Sequence, residues 1–265
     1  MRGLMQGKRG LIMGVANDHS IAWGIARTLA GHEAKLAFTY QGEALGKRVK
    51  PLAAQVGADL VLPCDVEDIA SLDAVFAELG RVWGSLDFLV HAIAFSDKAQ
   101  LSGRYADTTR ENFLRTMLIS CFSFTEAAKR AAAMMPDGGA MLTLTYNGGL
   151  RAMPNYNAMG PAKAALEASV RYLAVDFGGS RVRVNAISSG PIRTLAGAGI
   201  GDARAMFAFQ QRHSPLHRGV TLDELGGAGL YLLSDLSAGV TGEIHFVDSG
   251  YNIVLQPRPE NMGPE

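Results

Sequence analysis

Gly10-Leu-Ile-Met-Gly-Val-Ala-Asn-Asp-His-Ser-Ile-Ala-Trp-Gly-Ile-Ala-Arg-Thr-Leu29 passes from a short apolar run through a glycine turn into a segment whose apolar residues recur with helical period. A buried strand, a tight turn and a helix in that order make the first βα unit of a wound sheet. Gly14 lets backbone approach a pyrophosphate, and the N-terminus of the helix beginning near Ser20 and Ile21 offers N–H groups and a favourable dipole to an anion. The spacing departs from the G-x-G-x-x-G fingerprint. Taken alone, it is therefore either a dinucleotide seat or an ordinary strand-to-helix turn.

Outward from this unit the same rhythm repeats. Strand-length apolar runs at 36–40, 60–63, 88–92, 140–144, 182–186 and 243–247 alternate with helical segments at 43–55, 69–83, 110–134, 156–177 and 222–233. The runs are nearly continuous in Val, Ile, Leu, Ala and Phe, the pattern of strands covered on both faces. The expected fold is α/β: a Rossmann-like, doubly wound, seven-stranded parallel sheet with helices on both faces. Nothing divides it, so residues 1–255 read as one domain and 256–265 as a mobile tail. Two long connections break the rhythm, 96–109 and about 191–220. The second carries Ala196-Gly-Ala-Gly-Ile-Gly201 and a helical stretch at 203–212, and reads as a substrate lid.

Of the 265 residues, 48% are hydrophobic, and 25 basic side chains balance 25 acidic ones. With no Lys/Arg block there is no electrostatic footprint for nucleic acid or an anionic membrane, which leaves a small-molecule partner. Cys64 and Cys121 lie in apolar surroundings, read as buried thiols in a reducing compartment. No metal site is expected. Leu11-Ile-Met13 is too short for a signal segment, and no run reaches the roughly 18–20 apolar residues of a membrane span. The expected location is the cytoplasm.

Tyr156 and Lys163 lie seven apart in Y-N-A-M-G-P-A-K. A helix through this stretch turns about 100° per residue, so it sets phenol and ammonium on one face, a proton donor beside a fixed cation. Tyr146 follows the run Met141–Thr145, and by itself reads as a strand-end aromatic. Gln41, after the second strand, can hydrogen-bond an adenosine ribose, which modestly favours NADH, but it cannot repel a 2′-phosphate, so NADPH is not excluded. Asp65, with Val66 beside it, is either an adenine-edge carboxylate or a turn residue. His91 reads as a buried hydrogen-bonding residue rather than a catalyst.

Together, the loop from Gly14 to Gly24, Asp65-Val66, the Tyr156…Lys163 pair and Ser189-Gly-Pro-Ile-Arg-Thr194 resemble the short-chain dehydrogenase/reductase superfamily over essentially the whole chain. S-I-A-W-G-I-A, H-A-I-A-F, Tyr146, Y-N-A-M-G-P-A-K and G-P-I-R-T-L-A look like the bacterial NADH-dependent enoyl-acyl-carrier-protein reductases of type II fatty-acid synthesis. The ordinary superfamily spacing sets tyrosine four before lysine. Here that position is Met159, which disfavours a ketoreductase, and a tyrosine one turn earlier displaces the hydroxyl by about 4–5 Å along a helix axis.

This resemblance implies hydride transfer to the β-carbon of a trans-2-enoyl thioester carried on acyl carrier protein. Tyr156 would hydrogen-bond the thioester oxygen, Lys163 would hold the nicotinamide ribose, and Tyr146 would assist. It implies cofactor contacts at Gly14, Ser20, Ile21, Gln41, Asp65, Val66, Ile93, Ile192, Arg193, Thr194, Leu195 and Ala196, and substrate contacts at Ser96, Met206 and Phe207. It also implies a homotetramer. The rival readings are a 3-ketoacyl or other carbonyl reductase of the same superfamily, and a non-catalytic NAD(H)-sensing protein.

Overall fold

A computed structural model describes residues 3–192 and 203–256, the side chains at 203, 204 and 206 excepted. Seven parallel strands form one sheet: β1 (Arg9–Met13), β2 (Lys35–Tyr40), β3 (Leu60–Pro63), β4 (Phe88–His91), β5 (Gly139–Thr145), β6 (Val182–Ser189) and β7 (Ile244–Val247). Their spatial order is β3-β2-β1-β4-β5-β6-β7. The chain winds outward in one direction from β1, then returns to pair β4 on β1's other edge, with Leu11 opposite both Ala37 and Leu89. The switch point therefore lies between β1 and β4.

Alternate side chains of these strands enter different cores, which explains the unbroken apolar runs. Leu11 and Met13 of β1, Leu89 of β4 and Val184 of β6 face a core completed by α3 (Ile69–Trp83), α5 (Ser123–Ala133) and α6 (Met159–Gly178). Ile12, Val90 and Leu142 face the opposite core, completed by α1 (Ile21–Gly31), α2 (Gly42–Gln55) and α8 (Leu222–Leu233). Each fully buried Leu, Ile or Phe contributes about 1.5–3 kcal/mol of transfer free energy.

Two elements differ from expectation. The segment 110–134 is two helices, α4 (Arg110–Met117) and α5, joined by a π-helical turn at Leu118–Phe122. α6 begins at Met159, so Tyr156 sits in the turn before it. Asn155 and Asn157 take φ of 59° and 35°, the left-handed conformation that asparagine tolerates. The helix-face reading and the displacement along a helix axis therefore do not account for the tyrosine's position; the turn does. α7 (Ala203–His213) matches the helical stretch expected at 203–212, whereas Arg193, Thr194, Leu195, Ala196 and the tail from 257 onward lie outside the described residues.

Candidate active site

The β1–α1 loop reaches the switch point by a close backbone approach. Gly14 has φ +99°, and a Cβ there would meet the Ala92 carbonyl oxygen at 2.2 Å, so only glycine fits. Ser20 stands at the N-cap of α1, but its hydroxyl accepts from Ala16 N at 3.0 Å and Asn17 N at 3.1 Å. It therefore braces the loop, and no side chain caps α1. An uncapped helix N-terminus behind a glycine turn is an anion seat.

That seat opens into a cavity of about 420 Å³. Gly14, Ser20 and Ile21 line one end, and Ala92 to Ser96 after β4 form a wall. Tyr146, Tyr156 and Lys163 enter from the β5–α6 region, Ile192 after β6 and Phe207 from α7. Met159 lines the cavity too, where the usual superfamily spacing has its tyrosine. Outside this cavity lie Gln41, Asp65 and Val66. Gln41 Nε2 donates to Asp65 Oδ2 at 3.1 Å, Asp65 Oδ1 also accepts from Glu67 N, and Val66 is buried in a core.

The wall is held from behind by α4 and the π-helical turn. Ser120 of that turn accepts from Phe95 N at 2.8 Å, and its hydroxyl is 2.9 Å from Phe95 O. Asn112 Oδ1 accepts from Asp97 N at 2.9 Å and its Nδ2 donates to Ser96 Oγ. Composition gave no sign of these braces. Their signal was a run of Asn, Thr and Ser at 112, 116 and 120, four apart and so on one face of a helix.

Tyr156 and Lys163 are both buried, 8% and 6% exposed. Lys163 Nζ donates to the Leu144 carbonyl at 2.8 Å, which anchors the ammonium at the end of β5. Burial lowers its pKa to about 8, against the opposing pull of Cys121 and Glu167, so it remains cationic at neutral pH. For Tyr156, burial raises the pKa far above the phenol range, assisted by Tyr146 and Glu167, which keeps it a proton-bearing donor. The ring rests against Gly148, where a Cβ would stand 2.5 Å away, and meets the Tyr146 ring edge-on at 5.4 Å. His91, wholly buried and 2.9 Å from Ser123 Oγ, is driven down to about 3 by burial, then by the charge of Lys163. It stays neutral and lies outside the cavity.

Of the lid residues, Phe207 lines the cavity, the side chain of Met206 lies outside the described residues, and Phe209 is half-exposed against His213. Sequence reasoning passed over Gln210, whose Nε2 donates to Tyr146 Oη at 2.9 Å. Among the described residues no group of three His, Cys, Asp or Glu side chains could hold a metal ion.

Doubly wound sheets bind dinucleotides at the switch point, and here a buried phenol and ammonium flank that same space. The arrangement is that of a nicotinamide-dependent oxidoreductase of the short-chain dehydrogenase/reductase class. A family model described as enoyl-(acyl carrier protein) reductase matches residues 14–252, and the chain belongs to that family. It is 72% identical to the enoyl-[acyl-carrier-protein] reductase [NADH] 2 of Rhizobium meliloti, over 99% of this chain and 98% of the relative. The crystal structure of FabI from Candidatus Liberibacter asiaticus superposes with a TM-score of 0.95 at 60% identity, covering 97% of this chain and 100% of that one. The reductase of Anaplasma phagocytophilum, solved in complex with NAD, gives 0.94 at 54% identity, covering 97% and 98%.

Proposed function

We propose that this protein is an NADH-dependent enoyl-acyl-carrier-protein reductase in which Tyr156 and Lys163 carry the reaction. The observation that carries the assignment is their burial in one cavity wall, with Met159 standing where a ketoreductase needs a proton donor. The Gly14 approach and the uncapped α1 fit a dinucleotide pyrophosphate. When bound there, NADH supplies the hydride that adds to the β-carbon of the trans-2-enoyl thioester.

The chain's own residues do the rest. Negative charge develops on the thioester oxygen as an enolate, and the Tyr156 hydroxyl donates to it in a site that excludes most water; such a donor contributes on the order of 3 kcal/mol. Protonation of the enolate at Cα completes the reduction. Lys163 holds the nicotinamide ribose and supplies fixed positive charge, and Tyr146 supports the donor. Gly14, Ser20, Ile21, Ile192 and Arg193 to Ala196 take the pyrophosphate and nicotinamide half, and Gln41, Asp65, Val66 and Ile93 the adenosine half. Asp65 beside Gln41 puts negative charge at the ribose position, which favours NADH over a 2′-phosphorylated cofactor. Ser96, Met206 and Phe207 contact the acyl substrate, delivered by acyl carrier protein, and 191–220 acts as the lid.

A cytoplasmic location is supported by two free, buried cysteines and by the absence, among described residues, of a helix long and apolar enough to cross a membrane. A homotetramer is supported by apolar side chains exposed on α4, the π-helical turn and α6. NADH absorbance followed with a trans-2-enoyl thioester, and separately with a 3-ketoacyl thioester, tests the assignment. Turnover is expected with the first; turnover of the second alone would mean a carbonyl reductase.

A further inference from the structure

No described side chain on α7 belongs to either sheet-face core. Its residues border two adjoining cavities that share Pro191, Ile192 and Phe207: the active-site cavity and a second of about 470 Å³ that Ala208, Gln210 and Gln211 also line. A helix face that borders voids lacks the close packing that would otherwise fix its rotation.

Gln210 supplies such a fixture. It is 4% exposed, and a buried carboxamide without partners costs about 1–3 kcal/mol. Its Nε2 donates to Tyr146 Oη at 2.9 Å. Phe207, three residues earlier and so on the same helix face, lines the active-site cavity. Tyr146 stands edge-on to Tyr156 and packs with it, Leu101, Met153 and Met159 in a small cluster apart from both main cores. Apolar contacts alone let a helix roll, whereas a hydrogen bond fixes its rotation. Turning α7 by one residue, about 100°, would break the bond and carry Phe207 out of the cavity wall.

We infer that Gln210 is a positioning residue that docks the lid helix on the Tyr146 hydroxyl and so sets the wall against which the acyl substrate lies. This rests on the reading that the cavity takes an enoyl thioester. The donated hydrogen bond also opposes the rise that burial imposes on the Tyr146 pKa.

Gln210→Met keeps length and volume and removes the donor. Its KM for a trans-2-enoyl thioester should rise about three- to tenfold, the worth of one neutral hydrogen bond, with NADH affinity changed less than twofold. In a Tyr146→Phe background the same substitution should change KM less than twofold, because its partner is already gone. Hydrogen exchange on the cofactor-free protein should be faster across 203–213 in each single variant and no faster in the double. Equal KM penalties in both backgrounds, or unaltered exchange in the single variants, would overturn the inference. Should the unsubstituted protein fail to reduce the enoyl thioester, the assigned reaction falls, and the exchange data alone still decide whether Gln210 docks α7.

Discussion

Lys163 carries a charge into a place with little water, and both its use and its cost can be measured. With the pKa lowered to about 8, the cation exists below that pH and disappears above it. The groups around it are Cys121 on the π-helical turn, Glu167 one turn on along α6 and His91 on β4; Cys121 and Glu167 oppose the shift. Turnover should therefore fall as pH rises through about 8, and a pH–rate profile reads this directly. Lys163→Met should weaken NADH binding and lose that limb. The unfolded lysine titrates near 10.5, so between about 8 and 10.5 the unfolded chain binds more protons and this group's contribution to stability rises with pH. Lys163→Met should be more stable than the unsubstituted protein at pH 7, and the gap should close across that window in denaturant titrations. Tyr156→Phe, by contrast, removes the donor proposed for the developing oxyanion. It should lower kcat on the order of 10²-fold with NADH affinity intact, and undiminished kcat would put the donor elsewhere.

At the scale of elements, the cavity wall from Ala92 to Asp97 is only as rigid as α4 and the π-helical turn behind it. Asn112→Ala strips a partner from Asp97 N and from Ser96 Oγ, at a cost of about 1–3 kcal/mol. For a chain of this size that is a drop of roughly 2–4 °C in Tm per kcal/mol, accompanied by a several-fold rise in KM for NADH or substrate. A Tm loss with unchanged KM values would mean that the brace serves stability alone. The strands were legible because each alternates between two cores and so stays apolar throughout; Ile12 and Leu11 on β1 enter opposite cores. The π-helical turn was not legible, since residues on either side of the extra one remain apolar and a period of 3.6 absorbs the shift. Nor was the turn holding Tyr156, although Pro154, the asparagines at 155 and 157, and Pro161 in the first turn of α6 together mark a helix start near 159. Tyr146, Tyr156 and Lys163 were legible as motifs, whereas Gln210 was not, because one glutamine on an amphipathic helix looks like surface until the fold buries it.

For the whole molecule, the exposed apolar surface is what the homotetramer proposed above would cover with a second copy of the chain. Leu114, Leu118 and Phe122 follow one another at four-residue steps, 61%, 37% and 53% exposed, while Tyr172 and Val175 of α6 are 76% and 81% exposed. Their neighbours Leu166, Val170 and Leu173 face the core, so α6 carries apolar side chains on two sides, one buried here and one exposed that the proposed homotetramer would cover. Patches of this kind on packed helices are what a subunit interface covers, and each such side chain gains about 1.5–3 kcal/mol on burial. Phe122→Glu combined with Val175→Glu would bury charge at that interface and should convert a tetramer into dimers or monomers in sedimentation velocity. α6 also carries Lys163, and the turn holding Tyr156 leads directly into it. Dissociation should therefore lower kcat at protein concentrations where the unsubstituted enzyme stays assembled. A double variant that remains tetrameric would place the interface on another face, and a monomer with full activity would show that α6 keeps its site without a partner.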